Sequence, residues 1–394
     1  MHSECGDDEG GEGDGEIIYR FVNTKSVAKK LMKKLILLCI FSASIHSIHA
    51  QRLDTLIIRS MEAAIDNGTY PNIHSILIFH NNKIVYEKYW SGSDRKESKD
   101  VGIIAHGVDS LHAIQSMSKS VTSACVGIAL QQGKIKSINQ KLFDFFPEYA
   151  AQDTGLKAQI TIKDLLTMTA GFKWNEDDYN SPDNSEHLMG NSPDPVKYMM
   201  AMPMSDTPGK VFTYNGGATE LLAAIVQKAT GKPIDVYAKE YLFTPLDISH
   251  FKWTSTNDSN DVPDAFSGVY MRSRDLVKFG SLYMNDGRYE GKQILSANWV
   301  RQSTTPFIIA DDGSDPRFNK SEYGFQWWIF KDSVMNKPIV IAACVGNGGQ
   351  RVFVDKANNL VVVFTGGNYR MPDKYLNPYL ILKKFIYPAV ISNE

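Results

Sequence analysis

Ser116-Met117-Ser118-Lys119-Ser120-Val121-Thr122-Ser123-Ala124-Cys125-Val126-Gly127-Ile128-Ala129-Leu130-Gln131-Gln132-Gly133 is the stretch on which the reading of this chain turns. Met117, Val121, Ala124, Cys125 and Ile128 recur at helical spacing, and Gly133 supplies a stop, so the segment from Ser116 to Gln132 reads as a long amphipathic helix. Ser116 opens it and Lys119 follows one turn on, on the same face. The first turn of a helix has free backbone N–H groups and the positive end of the dipole. Both favour the oxyanion formed when a serine attacks a carbonyl. A serine hydroxyl needs a neighbouring base, and a lysine can serve if burial lowers its pKa.

Ser-x-x-Lys alone is a weak signal, of which composition predicts about one or two in such a chain. Four occur, at Ser26, Ser93, Ser116 and Ser249. Ser26 precedes an export-like segment, and Ser93 and Ser249 lie in polar stretches. Only Ser116 opens a long helical pattern. By itself the pair also fits an N-capping serine beside an exposed lysine, so the flanking sequence has to decide.

Strand patterns lie on both sides of this helix. Ile73–Phe79 and Ile84–Tyr89, joined at Asn81-Asn82, read as a hairpin. Ile339–Ala343, Arg351–Asp355 and Leu360–Thr365 are short, apolar and β-branched. Helical patterns occupy 217–230, Ser273–Met284 and a final stretch from about Tyr375. Residues 137–260 are mostly helical, with a polar, irregular loop at 172–196 whose length suggests function or mobility. Its aromatic residues Phe172, Trp174 and Tyr179 either line a cleft or pack the loop on the helices. The implied fold class is α+β: an antiparallel β-sheet flanked by helices, plus a mainly helical second lobe. The sheet lobe takes about 51–115 and 265–394, and the helical lobe about 116–264.

The first fifty residues read differently. Residues 1–31 begin with an acidic, glycine-rich leader that cannot bury an apolar face, which suggests disorder or a mis-called start. Residues 32–50 have the form of a signal peptide: Met32-Lys33-Lys34, the apolar run Leu35–Phe41, and Ile48-His49-Ala50 before Gln51. Export to a periplasmic or extracellular compartment is the expectation. The apolar run is too short for a stable membrane span. Cleavage after Ala50 leaves only Cys125 and Cys344, which is no disulfide framework. A net charge of −2 gives no reason to expect nucleic acid. No cofactor and no metal are called for. Glu186-His187 reads as an isolated surface pair, and His106 and His112 as structural residues.

Two further segments join the Ser116 stretch. Phe212-Thr213-Tyr214-Asn215-Gly216-Gly217 precedes a helix, and Asn347-Gly348-Gly349-Gln350 links two strands. The order Ser-x-x-Lys, then Tyr-x-x, then x-Gly-Gly resembles the class C β-lactamase and penicillin-binding-protein-like serine hydrolases. The likeness extends through Ile160–Gly171, Phe243–Leu246, Arg274–Gly280 and Tyr323–Trp328, and covers about 70–385. Within the family the look is closest to 6-aminohexanoate-dimer hydrolases and related esterases.

The resemblance implies Ser116 as acylated nucleophile, Lys119 and Tyr214 as its proton network, and an oxyanion hole from the N–H groups of Ser116 and Gln350. It implies substrate contacts at Asn347, Gly348 and Gly349, along a strand, and the reading adds Tyr179 and Trp327. The pattern departs from the family at Gly216, where Asn or Ser is usual, and at Asn347, where Lys or His is usual. Loss of that cation argues against β-lactams and D-Ala-D-Ala peptides as preferred substrates; Arg351 is the other candidate for that charge, on a strand position after Gln350 from which its side chain can point away. The expected activity is hydrolysis of a small ester, amide or peptide through an acyl-enzyme. The alternatives are a cell-wall D-peptidase or weak β-lactamase, and a sensor module without turnover. Sequence does not address the oligomeric state.

Overall fold

The computed structural model describes residues 53–96, 99–176, 181–256, 261–311 and 320–391. The leader 1–31, the segment 32–50 and Tyr179 lie outside the described residues. The strands are β1 (Ile73–His80), β2 (Lys83–Tyr89), β3 (Gly92–Lys96), β4 (Lys99–Ile104), β5 (His112–Ala113), β6 (Phe251–Trp253), β7 (Val269–Met271), β8 (Arg288–Tyr289), β9 (Lys292–Gln293), β10 (Ile308–Asp311), β11 (Ser321–Tyr323), β12 (Trp328–Val334), β13 (Lys337–Gly346), β14 (Gln350–Asp355) and β15 (Leu360–Gly366). The helices used below are α1 (Thr55–Asp66), α2 (Ser118–Gln131), α3 (Ile162–Leu166), α4 (Ser185–Gly190), α5 (Pro195–Ala201), α6 (Gly216–Thr230), α7 (Ile234–Ala238) and α8 (Ser273–Met284).

The main sheet is antiparallel, in the order β10-β11-β12-β13-β14-β15-β1-β2. The hairpin from the start of the chain therefore docks on its last strand, Ile76 opposite Phe364. β14 and β15 are buried at every position because helices cover both faces, which is why they read as unbroken apolar runs rather than alternating ones. On one face α8 lies close: a Cβ at Gly280 would sit 2.5 Å from Val361 Cγ1 and 2.8 Å from Val352 Cγ1. On the other, the C-terminal helical segment brings Tyr379 against Phe353 and Phe330.

The helical part packs around α2. Of its fourteen residues, Ser118 through Ala129 are all buried, so the helix has no solvent face and is not amphipathic in the way its apolar spacing suggested. Its polar positions are satisfied by loops packed on them. Ser120 Oγ donates to Gln326 O at 2.6 Å, Ser123 Oγ to Phe325 O at 2.8 Å and Thr122 Oγ1 to Ala265 O at 2.9 Å. These bonds also fasten the helix to both parts of the fold. The expected irregular loop 172–196 contains α4 and the start of α5, each capped by an asparagine or aspartate side chain. A smaller sheet, β5-β7-β6, lies where the chain enters α2.

Candidate active site

The chain leaves β5 through Ile114 and Gln115 and makes a 3₁₀ turn at Gln115–Met117 before α2 begins. Ser116 therefore sits on a tight turn at the mouth of the helix. Gln115 has a left-handed backbone, φ 52°, an uncommon conformation for a residue with a side chain and one found at sites where geometry is over-determined. The end of β13 braces this turn: a Cβ at Gly346 would be 2.4 Å from Ile114 O.

Lys119, one turn on and 1% exposed, donates from Nζ to Ser116 Oγ at 3.0 Å. The same ammonium lies 4.7 Å from the centre of the Tyr214 ring and 3.4 Å from Phe266 O. Tyr214 arrives on the segment that leads into α6, and its ring lies beside the Lys119 ammonium. The structure thus brings Ser116, Lys119 and Tyr214 into one cluster. Asn215 points elsewhere and caps α6, accepting from Ala218 N at 3.0 Å.

Burial pulls the Lys119 ammonium toward deprotonation, but Tyr214, Glu176 and Glu186 outweigh it and hold the lysine above its usual range. Burial likewise pushes the Tyr214 phenol up to about 12, against the pull of Lys119. The expectation that burial lowers the Lys119 pKa is therefore reversed in sum: burial does pull it down, and the neighbouring groups exceed it. The charge attraction between the two is strongest when the phenol has lost its proton beside the ammonium, which links their proton transfers.

The acids come from the loop that sequence left open. Glu176 Oε2 accepts from Trp174 Nε1 and from Gly216 N, both at 2.8 Å. Glu186, on α4, places Oε2 3.2 Å from where a Cβ at Gly216 would be. The volume vacated by the side chain missing at Gly216 is thus filled by a carboxyl from another element. Burial and neighbouring Glu176 raise the Glu186 carboxyl well above the ordinary range, against Lys119. Glu186 is half-buried, with its carboxyl turned toward the site, and His187 is exposed. Glu220 Oε1 accepts from Ala265 N at 2.7 Å and, with Thr122, fixes the loop whose Phe266 carbonyl meets Lys119.

Other expected site residues are placed differently. Trp327 is 0% exposed and packs against Phe279 and Tyr283. It is a core residue because it precedes β12 on the α8 side. Its neighbour Trp328 turns to the site, 5.7 Å between ring centres from Tyr214. Phe172 is also core. Asn347-Gly348-Gly349 forms the tight turn between β13 and β14 rather than a strand edge. Gly348 and Gly349 have φ 90° and 98°, and the Tyr369 ring covers Gly348, 2.6 Å from a Cβ there. The turn dictates these glycines, and Gly348 bridges to Asn368. Asn347 Oδ1 accepts from Arg370 N at 3.0 Å. Gln350 is buried opposite Gly346, its carboxamide bonded to Gly366 N and O. Arg351 is buried as well, with its guanidinium on the carbonyls of Gly346, Gln350 and Tyr375.

A second group of polar side chains lies just before the Ser116 turn. His74, Asp94, His106 and His112 offer ligand-type atoms that all lie within 4.8 Å of one another. Burial pushes His74 down to about 2 and His106 down to about 4, and lowers His112 too. Sequence reading missed this grouping because its members come from four separate segments.

Residues 69–384 match the family described as Beta-lactamase. The chain is 25% identical over 268 residues to 6-aminohexanoate-dimer hydrolase of Paenarthrobacter ureafaciens, covering 65% of this chain and 66% of that protein. It is 25% identical over 207 residues to Protein flp of Staphylococcus aureus (strain MW2), spanning 52% of this chain and 39% of flp. The match thus spans just under two thirds of the first relative and well under half of the second. Among solved structures, EstCE1, a hydrolase with promiscuous acyltransferase activity, superposes with TM-score 0.66 at 14% identity, over 84% of this chain and 98% of that one. At that identity the likeness is one of fold.

Proposed function

The chain belongs to the β-lactamase family, and on that premise we propose that it hydrolyses a small ester or unstrained amide through an acyl-enzyme on Ser116. The observation that carries the reading is the convergence of Lys119 Nζ on Ser116 Oγ at 3.0 Å with Tyr214 over the same ammonium. Ser116 Oγ attacks the substrate carbonyl carbon while its proton passes to the Lys119–Tyr214 pair. The pair returns that proton to the leaving alcohol or amine as the ester or amide bond breaks. Water then repeats the sequence on the acyl-enzyme and releases the acid. Since both members rest protonated, the reactive form is the one that has lost a proton. The N–H groups of Ser116 and Gln350 are proposed as oxyanion donors.

The substrate class follows from what stands where a carboxylate would bind. Asn347 replaces the family's cation and turns its carboxamide onto Arg370 N, while Arg351 spends its donors on three carbonyls. Neither offers a free charge, which favours neutral acyl groups over β-lactams and peptide carboxylates. Tyr214 is the partly exposed aromatic beside the cluster, backed by the buried Trp328 and Tyr323. Export with cleavage near Gln51 belongs to the same proposal. A panel of p-nitrophenyl esters, short amides and nitrocefin, with Ser116→Ala as control, tests it. Ester turnover exceeding nitrocefin turnover, and lost in the control, is the expected result; turnover surviving in Ser116→Ala overturns the assignment.

A further inference from the structure

We propose that His74, Asp94, His106 and His112 form a closed site for a divalent transition metal of the zinc type, separate from the hydrolytic cluster and independent of the reading given for it. Three imidazoles and one carboxylate within 4.8 Å of one another are a donor set and number that suit tetrahedral Zn²⁺. His74, Asp94 and His112 are 0%, 4% and 2% exposed, so water does not satisfy them.

The proton count is what calls for a cation. His112 Nδ1 is bonded to Ala113 O at 3.1 Å and must donate, leaving a lone pair on Nε2. That lone pair faces His74 Nδ1 at 2.9 Å and Asp94 Oδ1 at 3.8 Å. If His74 carries its proton on Nε2, two lone pairs meet at 2.9 Å and that N–H has no acceptor. If His74 Nδ1 carries it instead, Nε2 is a buried acceptor with no donor. His106, stacked on His74 with ring centres 3.9 Å apart, leaves its own buried Nε2 without a partner. Either placement of the His74 proton leaves a buried nitrogen without a partner, which is costly; one metal ion satisfies these nitrogens together.

The outer contacts are those that orient metal ligands. His112 Nδ1–H is fixed by a carbonyl, and Asp94 Oδ1 accepts from Tyr369 Oη at 2.9 Å and Arg95 N at 2.8 Å. Gly92 and Gly367 leave room for the His74 ring, since a Cβ would approach its Nε2 to 2.6 Å and 2.8 Å respectively. With four protein ligands the site has no open position for chemistry, so its role is to hold. It would join β1, β3, the segment after β4, and β5, four residues before Ser116.

The test uses the full chain, dialysed against Zn²⁺ and then metal-free buffer, with metal counted by mass spectrometry and the melting temperature followed with and without EDTA. Cobalt substitution reports geometry through its visible bands. The expected result is one Zn²⁺ per chain, a melting temperature lowered by EDTA and restored by Zn²⁺, and tetrahedral cobalt bands. His106→Ala, at the half-exposed rim, is expected to fold and to bind at least ~10-fold more weakly; His112→Ala should bind none. A wild-type chain that retains no metal, or a His106→Ala chain that binds with unchanged affinity, overturns the site.

Discussion

Lys119 and Tyr214 are both held in their protonated forms, and that sets the pH behaviour of the residues around Ser116. With Tyr214 at about 12 and Lys119 above its ordinary value, the deprotonated pair is scarce at neutral pH. Ester hydrolysis should therefore still be rising at pH 9, and a pH–rate profile flat from pH 6 to 9 contradicts the proton account. Lys119→Ala and Tyr214→Phe should each lower kcat on the order of 10²-fold or more. The double variant should lose much less than the product, because the two act as one unit; full additivity in steady-state kinetics would separate their roles. Glu186 gives a stability test. Its carboxyl is raised, so the folded state favours the protonated form, and stability present at acid pH is lost as pH climbs above the ordinary carboxyl range. Glu186→Gln stays neutral throughout. Urea unfolding should show it equal to wild type near pH 4 and more stable at pH 8; a less stable variant at pH 8 means that Glu186 is ionised against Lys119. Of this site, sequence order disclosed Ser116, Lys119 and Tyr214, since a motif names residues whose chemistry depends on type and spacing. Glu186 was illegible: the only trace was the missing side chain at Gly216, and what fills a vacated volume depends on a loop thirty residues earlier.

At the scale of elements, α2 shows where periodicity misleads. Its apolar residues recur at helical spacing, yet Ser120, Thr122 and Ser123 are buried too and bond to loop carbonyls. A sequence pattern records which side chains are apolar and not which backbone acceptors a fold will deliver to the polar ones. Gly127 lies flat on Trp299, where a Cβ would be 2.5 Å from the indole. Ala ordinarily favours a helix over Gly by about 1 kcal/mol, but overpacking a rigid ring costs about 1–3 kcal/mol. Gly127→Ala should thus lower stability, measured by chemical denaturation, and an increase would mean that the helix can shift. Trp327 and Trp328 make the same point: adjacent residues face opposite sides at a strand start, and spacing alone does not say which side is the core. Strands β13 to β15 were readable because both faces are covered and the apolar run is continuous. The short strands β10, β11, β3 and β4 carry polar residues and were not.

Over the whole molecule, the hairpin at 73–89 closes on the last strand of the sheet while the intervening chain builds the helical part. That order places the Ser116 turn, the approach to α6 and the β13–β14 turn together from three distant segments. The His74–Asp94–His106–His112 group sits on the same path, on the segments that lead into the Ser116 turn. Family membership accounts for this architecture and leaves the substrate to the local departures at Gly216 and Asn347. The most direct test of the central claim is intact-protein and peptide mass spectrometry of the full chain quenched in acid during turnover of a p-nitrophenyl ester. The account predicts one acyl group per chain, carried by the peptide containing Ser116 and absent from Ser116→Ala. Turnover without an adduct on that peptide, or an adduct that persists in Ser116→Ala, contradicts it.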